Sequence, residues 1–247
     1  MKTRIKSAFT LVELLIVVTL TGLLTTCVLG FYIQSLYANN ASEQQIKLAA
    51  KMRAFMNEMI FNGSRSHELI LYKSAAAADR SSTDANGDGT PDSRLVVTNE
   101  ASETPTDDIC PTGDFAVFVY YELPKPATAS KYRIQKLVGY YIDSSAVNGP
   151  ALVRMTVDFG AAPSTDPVET ILANNWTTAP RKTIAPCVAP LALADTAVSS
   201  TPPNLFYRRA GQSLAVCGQL LTSTTGRNTA DRRTYTRTFY FTVTVRT

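Results

Sequence analysis

Residues 9–31 read FTLVELLIVVTLTGLLTTCVLGF, an apolar run of 23 residues in which Glu13 is the only charged side chain. At about 1.5 Å per residue, a helix of this length crosses a bilayer core of about 30 Å. An ordinary secretory signal has a shorter apolar core, of about 7 to 15 residues, followed by a small-residue cleavage site. The run therefore predicts a membrane-spanning helix.

Basic residues precede this helix at Lys2, Arg4 and Lys6. Because loops on the cytoplasmic side of a membrane carry an excess of Lys and Arg, we expect the amino terminus to stay in the cytoplasm. The rest of the chain would then lie on the opposite side of the membrane.

Glu13 is unexpected at its position, because an ionised acid within the hydrocarbon costs on the order of 2.5 to 3.5 kcal/mol even on insertion scales. Its charge must be compensated by a partner, or Glu13 must lie near the interface of a plain single-pass anchor.

Residues 6–18, KSAFTLVELLIVV, resemble the class III signal and first helix of type IV pilins and type II secretion pseudopilins. The resemblance is confined to the N-terminal segment. It implies that a prepilin peptidase cleaves between Ala8 and Phe9 and that Phe9 becomes an N-methylated first residue; the family usually has glycine where Ala8 stands. It also implies that Glu13 faces the amino terminus of a neighbouring subunit and sets the register of assembly.

The same resemblance implies a location and a set of partners. The chain would cross the bacterial inner membrane once, with its head in the periplasm or, after filament assembly, outside the cell. Its partners would be other pilin or pseudopilin subunits, the prepilin peptidase and the inner-membrane assembly platform. The expected segments are a leader (1–8), a transmembrane polymerisation half of the helix (9–31), an amphipathic half (32–62) and a head (63–247). A head of this size suggests a minor subunit.

Beyond the membrane, apolar residues recur every three or four positions between Ala41 and Ile60 without an intervening proline. This spacing predicts that the helix continues to about Asn62 and packs one face into the head. The expected packing face is Ile46, Ala49, Met52, Met56 and Met59, flanked by Leu48, Phe55 and Ile60.

The remaining sequence predicts strands and loops. The run Tyr235–Val245 alternates apolar residues with threonine, which is typical of a half-buried strand. Residues with high strand propensity predict further strands at Phe115–Glu122, Tyr132–Ile142, Ala151–Phe159 and Leu95–Thr98. The stretch Ala161–Pro203 contains seven of the 13 prolines and predicts a long loop. We expect an α+β fold in which the helix covers one face of an antiparallel β-sheet.

The segment 84–92 has the spacing of a calcium loop. Oxygen-bearing side chains alternate before a glycine, as in the first half of an EF-hand loop, although Leu95 stands at its twelfth position. The expected ligands are the side chains of Asp84, Asn86, Asp88 and Asp92 and the carbonyl of Thr90. The alternative is a polar turn without an ion.

Four cysteines are present. Cys27 lies in the membrane helix, where we expect it to pack as an apolar residue. Cys110, Cys187 and Cys217 lie in the head, so at most one intramolecular disulfide forms among them. Of the three pairings, we favour Cys187 with Cys217, because it would pin the proline-rich stretch.

No catalytic site is expected. The single histidine, His67, follows Ser66, but neighbouring residues on a chain seldom face each other, and no nucleophile-elbow motif or nucleotide-binding glycine motif is present. The function classes left are a structural filament subunit and a tip subunit whose head binds DNA, a surface or a secreted substrate.

The DNA alternative depends on basic and aromatic residues near the C-terminus, which interleave as in single-stranded nucleic-acid grooves. They are Arg227, Arg232, Arg233, Tyr235, Arg237 and Tyr240, with Tyr207, Arg208 and Arg209 earlier. Without the leader, the chain has 21 basic against 20 acidic residues. Because this charge is nearly neutral, we favour a solvated hairpin face over a nucleic-acid site.

Overall fold

The structure is a computed structural model that describes residues 10–85, 87, 89–95, 111–122, 132–146, 149–185, 188–190, 204–209, 212–224 and 233–246. Two α-helices are present in these residues, α1 (Leu11–Arg65) and α2 (Val168–Asn175), with a short 3-10 helix at Ala78–Arg80. The ten strands are β1 (Glu68–Tyr72), β2 (Thr112–Gly113), β3 (Phe115–Tyr121), β4 (Ile134–Asp143), β5 (Ala151–Asp158), β6 (Arg181–Ala185), β7 (Val188–Pro190), β8 (Phe206–Arg209), β9 (Ser213–Thr224) and β10 (Arg233–Thr244).

The strands form two antiparallel sheets. The first sheet has the order β1-β3-β4-β5-β6, and the second has the order β10-β9-β8-β2, with β7 also pairing with β9. The predicted strands at 115–122, 132–142, 151–159 and 235–245 are confirmed as β3, β4, β5 and β10. Residues 96–98 of the strand expected at 95–98 lie outside the described residues. The α+β class is confirmed, but the described part of the head forms two sheets where we expected one.

One hydrophobic cluster joins the end of α1 to both sheets. Phe55 lies at its centre, with its ring 5.6 Å from that of Phe239 and 5.4 Å from that of Phe241, both in edge-to-face geometry. From the first sheet, Phe118 and Val138 belong to the same cluster. The division between the two compact units of the chain falls within α1, between Ile46 and Lys47, so this packing belongs to the second unit.

The packing face of α1 differs from the expected one. Leu48, Phe55 and Met59 are buried, whereas Ile46 is 68% exposed and Ile60 is also exposed. Met52 and Met56 are half-buried beside the core. Ala49 is half-buried too, so of the expected face only Ile46 is exposed. The face is rotated toward the flanking Leu48 and Phe55, because the aromatic ring of Phe55 occupies the centre of the contact.

Gly63 allows α1 to approach β10 closely. A Cβ atom at this position would lie 2.0 Å from Cγ1 of Val243, which is itself buried. Any side chain here would force the helix and strand apart. The strand β10 shows the expected alternation, with Phe239, Phe241 and Val243 buried and Tyr240 and Thr242 between them exposed.

The prediction of a long loop at Ala161–Pro203 is wrong for its described part, which contains α2, β6 and β7. The apolar residues Val168, Ile171 and Leu172 of α2 pack on the second face of the first sheet, in a cluster with Tyr72 and Phe115. Of the described prolines, Pro163, Pro167 and Pro180 lie between elements and Pro190 ends β7, and the elements themselves are too short for a clear periodicity.

Candidate functional site

The first turn of α1 contains Glu13 and is closed by a capping arrangement. The backbone N–H and the hydroxyl of Thr10 donate to Oε2 of Glu13, at 3.3 and 3.1 Å, and the Glu13 N–H donates to the Thr10 hydroxyl at 3.3 Å. This is the reciprocal pattern of a capping box. Glu13 therefore has hydrogen-bond donors at the start of its own helix. The processing residues Ala8 and Phe9 lie outside the described residues.

The segment from Leu11 to Tyr37 has a surface of exposed large apolar side chains. Phe31 is 76% exposed, and the leucines, valines and isoleucines before it are exposed as well. This part of α1 is long and apolar enough to cross a membrane. Exposed apolar surface of this extent marks a membrane or protein contact. Cys27 is exposed on the same segment, so nothing in the described chain provides the packing that we expected for it.

Threonines in this segment have their hydroxyls bonded within the helix. Thr21 donates to the carbonyl of Val17 at 2.7 Å, Thr25 to that of Thr21 at 2.8 Å, and Thr26 to that of Gly22 at 2.8 Å. Because a polar group in hydrocarbon must be satisfied internally, these bonds make the threonines compatible with a bilayer.

The predicted calcium loop is a tight turn around Asp84. Its two carboxylate oxygens accept from the N–H groups of Gly87 at 2.7 Å and Gly89 at 2.9 Å, and both glycines have positive φ. Asp92 accepts from the N–H of Ala85 at 2.9 Å. Within the described ranges, no group of three or more acidic, histidine or cysteine side chains is placed to hold a metal ion. Asn86 and Asp88 lie outside those ranges, so the calcium site stays a prediction.

Those residues of the predicted nucleic-acid site whose side chains the structure describes do not share one surface. Tyr235 and Arg237 project from one face of β10 and the exposed Tyr240 from the other, because side chains alternate along a strand. Tyr207 is 2% exposed and Arg208 is 9% exposed, with Arg208 donating to the carbonyl of Leu95 at 3.2 Å.

Three further residues of this predicted site can be placed only in part. Arg227 and Arg232 lie outside the described residues, and of Arg233 only the backbone is described, at the start of β10. Nucleic-acid binding therefore stays a prediction.

The expected disulfide also stays a prediction. Cys217 lies buried on β9 and forms no disulfide with a described residue, and Cys110 and Cys187 lie outside the described part. Burial raises the pKa of the Cys217 thiol.

Ser66 and His67 face different partners. The Ser66 hydroxyl is buried and donates to the carbonyl of Gly63 at 2.8 Å, where it closes the end of α1. Nδ1 of His67 accepts from the N–H of Tyr121 at 3.1 Å. The two side chains therefore do not form a nucleophile and base pair.

The structure contains a buried ion pair between Glu169 and Arg94 that the sequence analysis did not predict. The Glu169 side chain is 0% exposed, and Arg94 contacts both of its oxygens, Nε to Oε1 at 2.6 Å and Nη2 to Oε2 at 3.1 Å. The hydroxyl of Tyr72 donates to Oε1 at 2.7 Å. Burial opposes ionisation of Glu169, but the hydrogen bonds from Arg94 and Tyr72 outweigh it and lower its pKa.

This pair lies at the wall of a pocket of about 690 Å³ that also includes Asp84 and Glu68. Glu68 is paired as well, since Arg94 Nη1 lies 3.4 Å from its Oε1 and the Tyr121 hydroxyl donates to its Oε2. Glu68 and Glu169 are thus both committed to internal partners, which suits a stabilising network better than acid–base chemistry. No signal in the sequence could have found the pair, because Arg94 and Glu169 are 75 residues apart.

No family model, no curated protein and no solved structure matches the chain.

Proposed function

We propose that this chain is a structural subunit, a minor pilin or pseudopilin, of a type IV pilus-like or type II secretion-like filament. It assembles through residues 9–31 after a prepilin peptidase has cleaved the leader. The observation that carries the proposal is the combination of an exposed apolar helix with one acidic residue, Glu13, in its first turn.

The surroundings of Glu13 explain why a neighbour is needed. The donors that Thr10 supplies are neutral, so they satisfy the hydrogen bonds of the carboxylate but leave its charge uncompensated in an apolar medium. The amino group of a cleaved Phe9 on a neighbouring subunit would provide the opposite charge. This ion pair can form at only one axial offset between the two helices. It therefore also fixes the register of one helix against the other.

The orientation follows from the basic leader. Lys2, Arg4 and Lys6 hold the amino terminus in the cytoplasm, where the peptidase acts, and the head lies in the periplasm or outside the cell.

The first test is intact mass and N-terminal sequencing of the chain recovered from membranes of a host with a prepilin peptidase. The proposal predicts that the chain from this host begins at N-methylated Phe9. In a host from which the peptidase has been deleted, the chain should keep its leader. A chain that still begins at Met1 in the presence of the peptidase, or that is cut beyond Phe31, would contradict it.

The second test separates assembly from anchoring. Glu13→Gln keeps the size of the side chain and removes the charge, so we expect normal cleavage and membrane insertion but loss of filament incorporation. Glu43→Gln on the same helix, beyond the predicted span, is the matched control and should incorporate normally. Equal incorporation of both variants would contradict the role of Glu13 in assembly, and incorporation of neither variant nor the unchanged chain would favour a plain membrane anchor.

A further inference from the structure

The part of α1 that packs on the head has exposed apolar side chains on the face that points away from the core. Ala50, Ala54, Ile60 and Phe61 are all exposed there, Ile60 by 43% and Phe61 by 51%. The guanidinium carbon of Arg65 lies 3.9 Å from the centroid of the Phe61 ring. A helix that buries one face ordinarily has charged or polar residues on the other, so this face has the composition of a protein contact.

The charges on this face have one sign. Lys51, Arg53 and Arg65 are exposed, whereas Glu58, the only acidic residue between positions 47 and 65, is half-buried and accepts from Arg154 at 2.7 Å. Among the described residues, Lys51 and Arg53 have no ion-pair partner. We call these three cations and the exposed apolar residues beside them the outer face of α1. This face is basic, and the described part of the chain leaves Lys51 and Arg53 uncompensated.

The pocket of about 690 Å³ beside Glu169 has the opposite charge. Glu68, Asp84, Asp166 and Glu169 line it, and Arg94 is the one basic residue in the described lining. Arg94 is committed to Glu68 and Glu169. Asp84 and Asp166 accept hydrogen bonds from neutral N–H and hydroxyl groups, which leave the charge of a carboxylate in place. The acidic pocket therefore complements the charge of the outer face of α1.

The two surfaces lie on opposite sides of the first sheet. Leu69 and Leu71 of β1 pack in the cluster that contains the end of α1, whereas Ile70 and Tyr72 pack in the cluster that contains α2. Because side chains alternate along a strand, Glu68 and the acidic pocket lie on the α2 side. The two surfaces of one chain therefore cannot meet each other, but those of two copies can. A contact between two different surfaces of identical chains repeats from copy to copy and builds a filament unless it closes into a ring.

We propose that the outer face of α1 docks on the acidic pocket of a second copy of this chain. Arg53 lies opposite Asp84 and Asp166, and Phe61 covers the ring of Tyr132, which is 50% exposed at the rim. Arginine and aromatic side chains of this kind contribute most of the binding energy in many protein interfaces. The contact rests on the proposed function for its place between successive subunits, and it adds a contact between heads to the one at the membrane helix.

Photocrosslinking measures the contact on the full chain, purified in a zwitterionic detergent with a chelator that keeps calcium from neutralising Asp84. A photoreactive aromatic residue replaces Phe61, and isotope-labelled and unlabelled chains are mixed so that products between copies are recognised by mass. We expect position 61 of one copy to be joined to residues 82–94 or 164–169 of another, with a yield that falls as salt screens the charges. The same photoreactive residue in place of the exposed Thr242 is the control and should give neither product.

Charge reversals assign the contact to the two surfaces. In Arg53→Glu or in Asp166→Lys the yield should fall at least about tenfold, because like charges placed opposite each other disfavour an interface. A chain with both substitutions has complementary charges again, so its yield should recover. Lys182→Glu is the control for the first reversal, because Lys182 is exposed on β6. Asp143→Lys is the control for the second, because Asp143 ends β4 far from Ile134, which lines the pocket. Both controls should keep the yield of the unchanged chain.

A mixture of the two reversed variants shows that the contact joins two different surfaces. The Asp166→Lys chain keeps its basic outer face, and the Arg53→Glu chain keeps its acidic pocket. Products that join position 61 of the first chain to the pocket of the second should therefore appear, although neither variant alone gives them.

Three results would overturn the proposal. They are the absence of products between copies, products that join position 61 to other parts of the chain, and charge reversals that act no differently from their controls. The purified chain needs neither cleavage nor incorporation for this test. Its failure would therefore leave the processing result intact, and a chain that gives the expected products but fails the processing test would keep the contact and lose the filament.

Discussion

Phe31 and Phe55 belong to the same helix and have opposite surroundings. Phe31 is exposed with the other large apolar side chains of residues 11–37, whereas Phe55 is fully buried between Phe239 and Phe241. The head thus provides a partner for the end of α1, and nothing in the described chain covers residues 11–37. The difference indicates that the partners of the first half, lipid or other helices, lie outside this chain.

The largest expected effect distinguishes these two phenylalanines. Phe55→Ala removes a ring from the centre of the core and should lower the free energy of unfolding of the head by about 3–5 kcal/mol. Phe31→Ala should leave it unchanged, because this ring is exposed. Denaturant unfolding, followed by the fluorescence of Trp176, measures both, and similar losses in the two variants would show that the halves are not distinct.

Two glutamates provide the second test. Glu169→Gln weakens charge-assisted hydrogen bonds in a buried site, with an expected loss of about 1.5–3 kcal/mol in the free energy of unfolding. Glu13→Gln should cost the head nothing, because its hydrogen bonds lie within the first turn of α1.

The pH dependence gives this pair of variants a second readout. The pKa of Glu169 is lower in the folded state, so its contribution to stability is present above the ordinary pKa of a glutamate and is lost as the pH falls through the folded value. Acid unfolding should therefore become shallower in Glu169→Gln and remain unchanged in Glu13→Gln. Identical acid profiles for Glu169→Gln and the unchanged chain would contradict this account of the network.

Two glycines give the smallest of the three effects. Gly63→Ala places a methyl group 2.0 Å from Val243 Cγ1 and should destabilise the head by about 1–3 kcal/mol, although alanine is the better helix former. At Gly30 nothing lies within 4 Å of the added carbon, so Gly30→Ala should be neutral for the head. Combining Gly63→Ala with Val243→Ala should recover part of the loss. A neutral Gly63→Ala variant would disprove the close approach of α1 and β10.

The sequence predicted those elements whose pattern is local. The alternation of Phe239, Phe241 and Val243 with threonine identified β10, and the uncharged run around Val17 identified the exposed half of α1. The other strand of the same hairpin, β9, was missed because Cys217, Gly218 and Gln219 interrupt its alternation.

Contacts between distant residues could not be predicted. Arg94 forms a bridge with Tyr72 at the end of β1, and Glu169 lies on α2, so the two residues meet only in the folded head. The rotated packing face of α1 has the same cause, because Phe239 and Phe241 of β10 determine that Phe55, and not Ile46 or Ile60, lies at the centre.

The most direct test of the filament account is photocrosslinking from the exposed half of the helix in cells that assemble the filament. With a photoreactive residue in place of Ile16 or Leu24, the account predicts a ladder of products at multiples of the mass of the processed chain or its partner subunits, lost in Glu13→Gln. Products with lipid alone, in a chain with or without that substitution, would contradict it and leave a membrane anchor for the head.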